Sequence, residues 1–406
     1  DYRDLRVTFD PPLFLQRRLW ILDILRREGI VDVLDIGCGE GELLSTLTRP
    51  ASWLPPLHEP PHSDEEAVAS YDMFPELHME RVCGLDVSDA ELQLSLNQVR
   101  PPPSTEDDDD NGKPRKLIRT FNLLDMTRWE PLRAEIWKGG VEVVNENFIG
   151  TECIVSTETY KIEHLAPHIL PFFSPVLLGV YAPKYLLITT PSYTYNARFT
   201  APGVPKSGYP DPTNRTDRVF RHDDHKFEWT FEEFEKYCID VAQEWGYAIV
   251  EARSIGKAVE PDPWNREEEL GGATSVCHFQ RLDDRDDDAM RAKAHSLIAS
   301  LQQELQDPQA CLSHELLAGF DHQPHRAAKK PASTAEIAAA IKEWMSEFHE
   351  RFIRFEELWY EQGTRVGVLC GGWIELLVRA IKENDDLRLD MDEGSDRIYW
   401  QVELVG

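Results

Sequence analysis

The chain has 406 residues, 41% of them apolar, which is enough for one large domain or two smaller ones. Its 43 lysines and arginines stand against 73 aspartates and glutamates, giving a formal net charge of −30. Such a charge disfavours nonspecific binding to nucleic acid or to an anionic membrane, so a nucleic-acid substrate would require a local basic cluster.

Apolar strands alternate with helices over the first 282 residues, as in a parallel sheet covered by helices on both faces. We therefore predict an α/β fold with a mostly parallel, doubly wound sheet, interrupted by insertions at 50–78 and 100–116. The predicted helices lie at 11–30 and 230–246, and further helices follow the strands that begin at 31 and 81. The remaining predicted strands lie at 117–126, 148–157, 185–192, 247–256 and 274–282.

The pattern changes at an acidic joint, 283–290, and the remaining chain is expected to form a mainly helical region over 283–406. Helices are predicted at 289–306, 333–361 and 372–383, followed by a terminal strand. The second helix begins with a capping box and carries one apolar face. That face is expected to pack on the sheet, to pair with the third helix, or to bind a partner.

A glycine-rich turn, "LDIGCGEG" at 34–41, follows the first strand. Gly37 and Gly39 would let the backbone turn tightly and approach a ligand, and Asp35 precedes them. Asp86 ends the second strand, where a carboxylate can accept both hydroxyls of an adenosine ribose. A nicotinamide dinucleotide site and a plain strand-to-helix turn are the alternatives.

The motif resembles the first motif of methyltransferases that depend on S-adenosylmethionine (SAM), and Asp86 matches the acid of their second motif. The resemblance implies a Rossmann-like methyltransferase domain over 1–282 with SAM as its cofactor. Asp125, in "NLLD", stands where such enzymes place an acid that contacts adenine.

Three longer stretches narrow the resemblance: "FDPPLFLQRR" at 9–18, "ITTPSYTYN" at 188–196 and "RVFRHDDHKFEWTFEEF" at 218–234. Together they are similar to Hen-type small-RNA 2′-O-methyltransferases, in a fungal-like form with an extra C-terminal region. The resemblance implies methylation of the 2′-hydroxyl on the 3′-terminal ribose of small silencing RNAs. It also implies a single-stranded RNA 3′ end as substrate and an Argonaute-type protein as candidate partner.

By position, the family's metal ligands would be Glu158, Glu163, His164 and His225, and the last three would also be the catalytic residues. The expected ion is Mg²⁺ or Mn²⁺, with Co²⁺ as a third candidate, because the donors mix oxygen and nitrogen. The family spacing is E-x-x-E-H, whereas this chain reads "ETYKIEH", two residues longer.

Four readings of the longer spacing remain open. Glu158 lies on the strand-exit loop and still reaches the ion, or Tyr160 has displaced the ligand. Alternatively, a misread splice junction has added six nucleotides, or the acids only favour a helix start. His168 is expected to be a capping or packing histidine, and His222 a surface histidine.

A cluster of basic residues could follow the RNA phosphates despite the overall charge; its members are Arg215, Arg218, Arg221 and Lys226, with Arg17, Arg18 and Arg198 as further candidates. Two other functions remain open: a catalytically impaired SAM-fold protein that binds RNA, and a methyltransferase of a small molecule or protein. No apolar run reaches the length of about 18 residues that indicates a membrane-spanning helix. Seven cysteines without a CxxC pair favour reduced thiols in an intracellular protein. We expect a monomer in the cytoplasm, with the nucleus as the alternative.

Overall fold

A computed structural model describes most of the chain, in the ranges 5–48, 79–101, 132–157, 162–204, 208–305, 313–322, 332–360, 366–370, 374–391 and 400–405. The strand predicted at 117–126, the insertion at 50–78 and most of that at 100–116 lie outside these ranges. So do two predicted site residues, Asp125 and Glu158.

The main sheet has eight strands in the order β10-β3-β2-β1-β4-β5-β9-β8. The strands up to residue 322 are β1 (Asp32–Ile36), β2 (Arg81–Asp86), β3 (Leu132–Lys138), β4 (Cys153–Ser156), β5 (Tyr185–Pro191), β6 (Tyr209–Pro210), β7 (Val219–Phe220), β8 (Tyr247–Ile255), β9 (Thr274–Arg281) and β10 (Glu315–His322). Neighbours among β1 to β5 pair in parallel, whereas β9 and β10 run antiparallel to theirs. The strand order reverses between β1 and β4, and ligands bind beyond the carboxyl ends of strands at such a point.

Helices cover both faces of this sheet, which confirms the predicted doubly wound α/β fold. They are α1 (Leu13–Arg27), α2 (Glu42–Leu47), α3 (Asp89–Val99), α4 (Leu170–Ser174), α5 (Phe231–Trp245), α6 (Glu267–Leu270) and α7 (Asp287–Glu304). One apolar cluster includes Leu22 of α1 and Leu92 of α3. The cluster on the opposite face contains Trp245 of α5 and Ile298 of α7.

Strand β3 was not predicted from the sequence. Its charged side chains alternate with buried ones, and Arg133 and Arg81 both bind Glu135 on it, at 3.2 and 3.3 Å. The charged residues of these ion pairs interrupt the run of apolar residues that is typical of a buried strand.

Two elements beyond residue 282 contribute to the same core and sheet. Ala294 of α7 packs into the cluster on the α5 face, and β10 pairs with β3. The predicted domain boundary at 282 stays a prediction. In the structure, α7 and β10 pack on the sheet and core formed by the residues before 282.

A third apolar cluster begins at Ala332 and lies entirely in the C-terminal part of the chain. Its elements are α8 (Thr334–Glu347), β11 (Phe352–Arg354), α9 (Phe355–Tyr360), α10 (Val366–Leu369), α11 (Ile374–Lys382), β12 (Leu387–Asp390) and β13 (Gln401–Leu404). The three strands form an antiparallel sheet in the order β11-β13-β12. The region mixes helices with a small sheet, so the expectation of a mainly helical region is incomplete.

The single helix predicted over 333–361 was wrong in its length. Ser333 and Glu336 form the expected capping box, but α8 ends at Glu347 and His349 adopts a left-handed φ of 58°. The chain then enters β11, so Phe352 does not continue the helical face and is 51% exposed. Among the described residues, no helix is both long and apolar enough to cross a membrane.

Candidate active site at the carboxyl edge of the sheet

The glycine-rich turn leaves β1 with three residues in the left-handed region: Gly37, Gly39 and Gly41 have φ of 74°, 52° and 80°. The Gly37 N–H donates to the Leu85 carbonyl at 2.8 Å, which ties the turn to β2. A Cβ on Gly41 would lie 2.4 Å from Ser95 Oγ of α3. The turn therefore requires glycine both for its backbone angles and for its close packing.

Asp86 is buried at the end of β2, and the backbone holds both of its oxygens. Oδ2 accepts from the Gly39 N–H at 2.9 Å, and Oδ1 accepts from the Ser88 N–H at 2.8 Å. Burial raises the pKa of Asp86, and these hydrogen bonds oppose that rise. The carboxylate and the glycine turn are thus fixed to each other.

Acidic and thiol groups surround this turn. Asp35 is fully buried on β1, and Cys38 is buried within the turn. Burial raises the pKa of the Cys38 thiol, with further contributions from Asp35 and Asp86, so the thiol stays protonated. Burial, Asp86 and Glu40 raise the pKa of Glu91 to about 7. A glycine turn beside a fixed carboxylate fits the adenosine end of a nucleotide cofactor.

A second group of polar side chains follows β4, the next strand in the sheet. Glu163 and His164 lie in a short 3₁₀ turn, Ile162–His164, and His225 lies in the segment between β7 and α5. One ligand atom from each of these three residues lies within 4.8 Å of the other two. Glu163 and His225 are buried and His164 is half-buried.

Two hydrogen bonds of Glu163 explain how distant segments meet here. Thr190, near the end of β5, donates its hydroxyl to Glu163 Oε2 at 3.0 Å. The Lys226 N–H donates to the Glu163 carbonyl at 2.8 Å, which joins the 3₁₀ turn to the segment that carries His225. Both sites therefore lie at the carboxyl edge of β1, β2, β4 and β5.

Each histidine has a carboxylate beside its Nδ1 atom. His225 Nδ1 is 2.6 Å from Glu228 Oε1, and His164 Nδ1 is 3.1 Å from Asp224 Oδ2. This arrangement leaves the Nε2 atom of each ring as the candidate ligand atom. One carboxylate and two imidazoles fit a divalent cation that accepts mixed oxygen and nitrogen donors.

The structure brings together three of the four predicted metal ligands, Glu163, His164 and His225. His168 and His222 are both exposed, and the capping or packing role of His168 stays a prediction. Three further residues of this site were not predicted from the sequence: Thr190, Glu228 and Asn196. The side-chain amide of Asn196 donates to Glu228 Oε2. The only signal for Glu228 was its position three residues after His225 in "DHKFEW".

Several members of the predicted basic cluster are committed to internal contacts. Arg218 makes two 2.7 Å bonds to Glu233. Arg198 is buried and donates to the Glu260 and Pro261 carbonyls. The remaining contacts pair Arg18 with Glu42 and place Arg221 over the Phe199 ring at 3.7 Å. These contacts reduce the charge that the cluster can offer to RNA phosphates.

The chain is similar in sequence to small-RNA methyltransferases. No model of a protein family matches it. A small RNA 2′-O-methyltransferase of Drosophila melanogaster is 23% identical over 283 residues, covering 68% of this chain and 56% of its own length. A small RNA 2′-O-methyltransferase of Schizosaccharomyces pombe is 25% identical over 250 residues, covering 61% and 54%.

Among solved structures, a small RNA methyltransferase is 19% identical with a TM-score of 0.47, covering 80% of this chain and 29% of that chain. The chain thus spans about half the length of the curated relatives it matches. The expected resemblance is confirmed: over roughly two thirds of its length, this chain is similar to small-RNA 2′-O-methyltransferases of the Hen type.

Proposed function

We propose that this chain transfers a methyl group from SAM to the 2′-hydroxyl of the 3′-terminal ribose of small RNAs, with the help of a divalent metal. The observation that carries the proposal is the meeting of Glu163, His164 and His225 at the sheet edge that also bears the glycine turn. A cofactor site alone would fit a methyltransferase of any substrate. A cluster of three metal-type ligands beside it favours a substrate with vicinal hydroxyls.

The cofactor would lie against the glycine turn. Asp86 is already oriented by two N–H donors, and its carboxylate would accept the hydroxyls of the adenosine ribose. Asp35, buried one residue before the end of β1, adds a second carboxylate under the turn. The resemblance further implies that Asp125 would contact the adenine of the cofactor.

Glu163, His164 and His225 would hold the cation, with Glu158 as the proposed fourth ligand. When bound, a divalent cation lowers the pKa of a coordinated hydroxyl and orients its oxygen. The residues themselves bring one carboxylate and two imidazoles within 4.8 Å of one another. Thr190 keeps the Glu163 carboxylate in place, so little reorganisation is needed when the substrate arrives.

Recognition would then depend on an unpaired terminal ribose rather than on base sequence. A 3′-terminal ribose carries free 2′- and 3′-hydroxyls, whereas an internal ribose has its 3′-oxygen bound to phosphate, and an unpaired end lets the terminal sugar enter the site. An Argonaute-type carrier of the RNA, a monomeric enzyme and a cytoplasmic location are further proposals.

Synthetic single-stranded RNAs test the proposal. One RNA carries a free 3′-terminal diol, a second is oxidised with periodate and lacks both hydroxyls, and a third ends in a 2′-deoxynucleotide. We expect methyl transfer from SAM to the first alone. Equal transfer to the oxidised RNA would contradict the proposal, because no terminal hydroxyl is present to receive the methyl group.

A further inference from the structure

One buried carboxylate beside the candidate metal ligands has no part in the function proposed above. We propose that Glu228 is a positioning residue: it fixes the tautomer and the ring orientation of His225 so that Nε2 faces Glu163 and His164. The inference rests on the proposed function in that His225 is taken as a metal ligand. It adds a residue that the expected ligand set does not include.

The carboxylate of Glu228 contacts three residues on two segments of the chain. Oε1 lies 2.6 Å from His225 Nδ1 and accepts from the Arg221 N–H at 3.2 Å. Oε2 accepts from the side-chain amide of Asn196 in the 3₁₀ turn Thr194–Phe199. Glu228 is only 2% exposed, so these groups take the place of water around it.

The chemistry of the pair selects one tautomer of the imidazole. An ionised carboxylate only accepts hydrogen bonds, so His225 Nδ1 must carry the hydrogen. The opposite neutral tautomer would set two acceptors 2.6 Å apart in a buried site, which is repulsive. With the hydrogen on Nδ1, the Nε2 lone pair is free to bind a cation.

The second histidine has a weaker version of the same arrangement. Asp224 lies 3.1 Å from His164 Nδ1, and its side chain is 59% exposed. Water can replace an exposed acceptor at little cost, whereas nothing replaces Glu228 in its buried position. The positioning effect should therefore be large at Glu228 and small at Asp224.

The tautomer can be read directly in the metal-free protein. Nitrogen-15 labelling of the histidines and long-range proton–nitrogen correlation at pH 8 distinguish the two neutral tautomers. In the wild-type chain we expect His225 to carry its hydrogen on Nδ1. In Glu228→Ala that preference should be lost. A wild-type His225 with its hydrogen on Nε2 would overturn the inference.

Metal affinity provides the second measurement, with Mn²⁺ as the probe in calorimetric titration of the full chain. Losing the acceptor that binds the second ring nitrogen of a metal-bound histidine typically lowers metal affinity by about 10- to 100-fold, and we expect a loss of that size in Glu228→Ala. Glu228→Gln keeps an acceptor oxygen and should lose less, and Asp224→Asn less still. Glu233→Gln is the matched control: it removes a nearby acid that binds Arg218 and contacts no histidine, so Mn²⁺ affinity should not change.

A purely structural role predicts a different outcome. Glu228→Ala would then melt at a lower temperature but bind Mn²⁺ as tightly as the wild type, and the inference would be wrong. If Glu228→Ala does not fold, the tautomer of His225 in the wild-type chain decides, and a hydrogen on Nε2 would overturn the inference. A wild-type chain that binds no Mn²⁺ contradicts the metal role in the proposed function instead, while the tautomer measurement still tests the positioning on its own.

Discussion

Replacing Asp86 by alanine should separate the cofactor site from the rest of the fold. The carboxylate accepts two backbone hydrogen bonds, from Gly39 at 2.9 Å and from Ser88 at 2.8 Å, and would accept the ribose hydroxyls of SAM as well. A hydrogen bond to a charged group contributes about 1.5–3 kcal/mol, so SAM affinity should fall by roughly 10- to 100-fold. The unfolding free energy should also fall, because two N–H groups lose their acceptor.

Calorimetric titration with SAM measures the first effect and thermal unfolding the second. Asp89→Ala is the matched control: Asp89 lies three residues later, is 74% exposed and pairs with Lys138, so SAM affinity should stay at the wild-type value. Unchanged SAM affinity in folded Asp86→Ala would refute the placement of the cofactor. Equal losses in both variants would point to a general effect of charge rather than to a direct contact.

Three further perturbations test other parts of the structure. His225→Ala should lose Mn²⁺ binding and activity while keeping its SAM affinity, measured by calorimetry and methyl transfer; retained Mn²⁺ binding would make His225 a packing histidine. Deleting Thr159 and Tyr160 restores the spacing E-x-x-E-H and should lower Mn²⁺ affinity if Glu158 already reaches the site on a longer loop, whereas a gain would mean that the present spacing impairs it. Burial lowers the pKa of the fully buried His278 from 6.5 to about 4. Below pH 6.5 the unfolded chain therefore binds a proton that the folded chain does not. The free energy of unfolding consequently decreases as the pH falls toward 4. Between pH 7 and 5 this loss should be about 2 kcal/mol in urea unfolding and absent in His278→Leu; identical pH dependence in both chains would contradict it.

The cofactor half of the site could be read from the sequence because its chemistry is local. Gly37 and Gly39 lie in one short turn, and their left-handed angles follow from the requirement to leave β1 and enter α2. Asp86 ends the neighbouring parallel strand, so its position beside the turn follows from the predicted topology. The capping box at Ser333 and Glu336 was equally readable, because all its atoms lie within one helical turn.

The metal half could not be derived in this way. Glu163 and His225 lie far apart in the chain, and only the resemblance joined them in advance. Their contact depends on Thr190 and on the backbone of Lys226, neither of which has a distinctive sequence pattern. Likewise, nothing in the sequence distinguished Arg198, whose guanidinium binds backbone carbonyls, from an arginine free to meet RNA.

The C-terminal part shows how periodicity can mislead. Ile341 and Met345 are buried on the expected face of α8, and Phe355 and Trp359 are buried at the same spacing further on. The two runs belong to different helices, because His349 turns the chain and β11 intervenes. The spacing of apolar residues indicates which residues are buried, but it does not indicate where one helix ends and the next begins.

The most direct test of the proposed function is to locate the transferred methyl group and its dependence on metal in one reaction. Purified chain, labelled SAM and a single-stranded small RNA are incubated with Mn²⁺ or with a chelator, and the RNA is then digested to nucleosides. We predict label on the 2′-oxygen of the 3′-terminal nucleoside with Mn²⁺ and none with the chelator. Label on a base or an internal ribose, or equal labelling with and without metal, would contradict the proposed function.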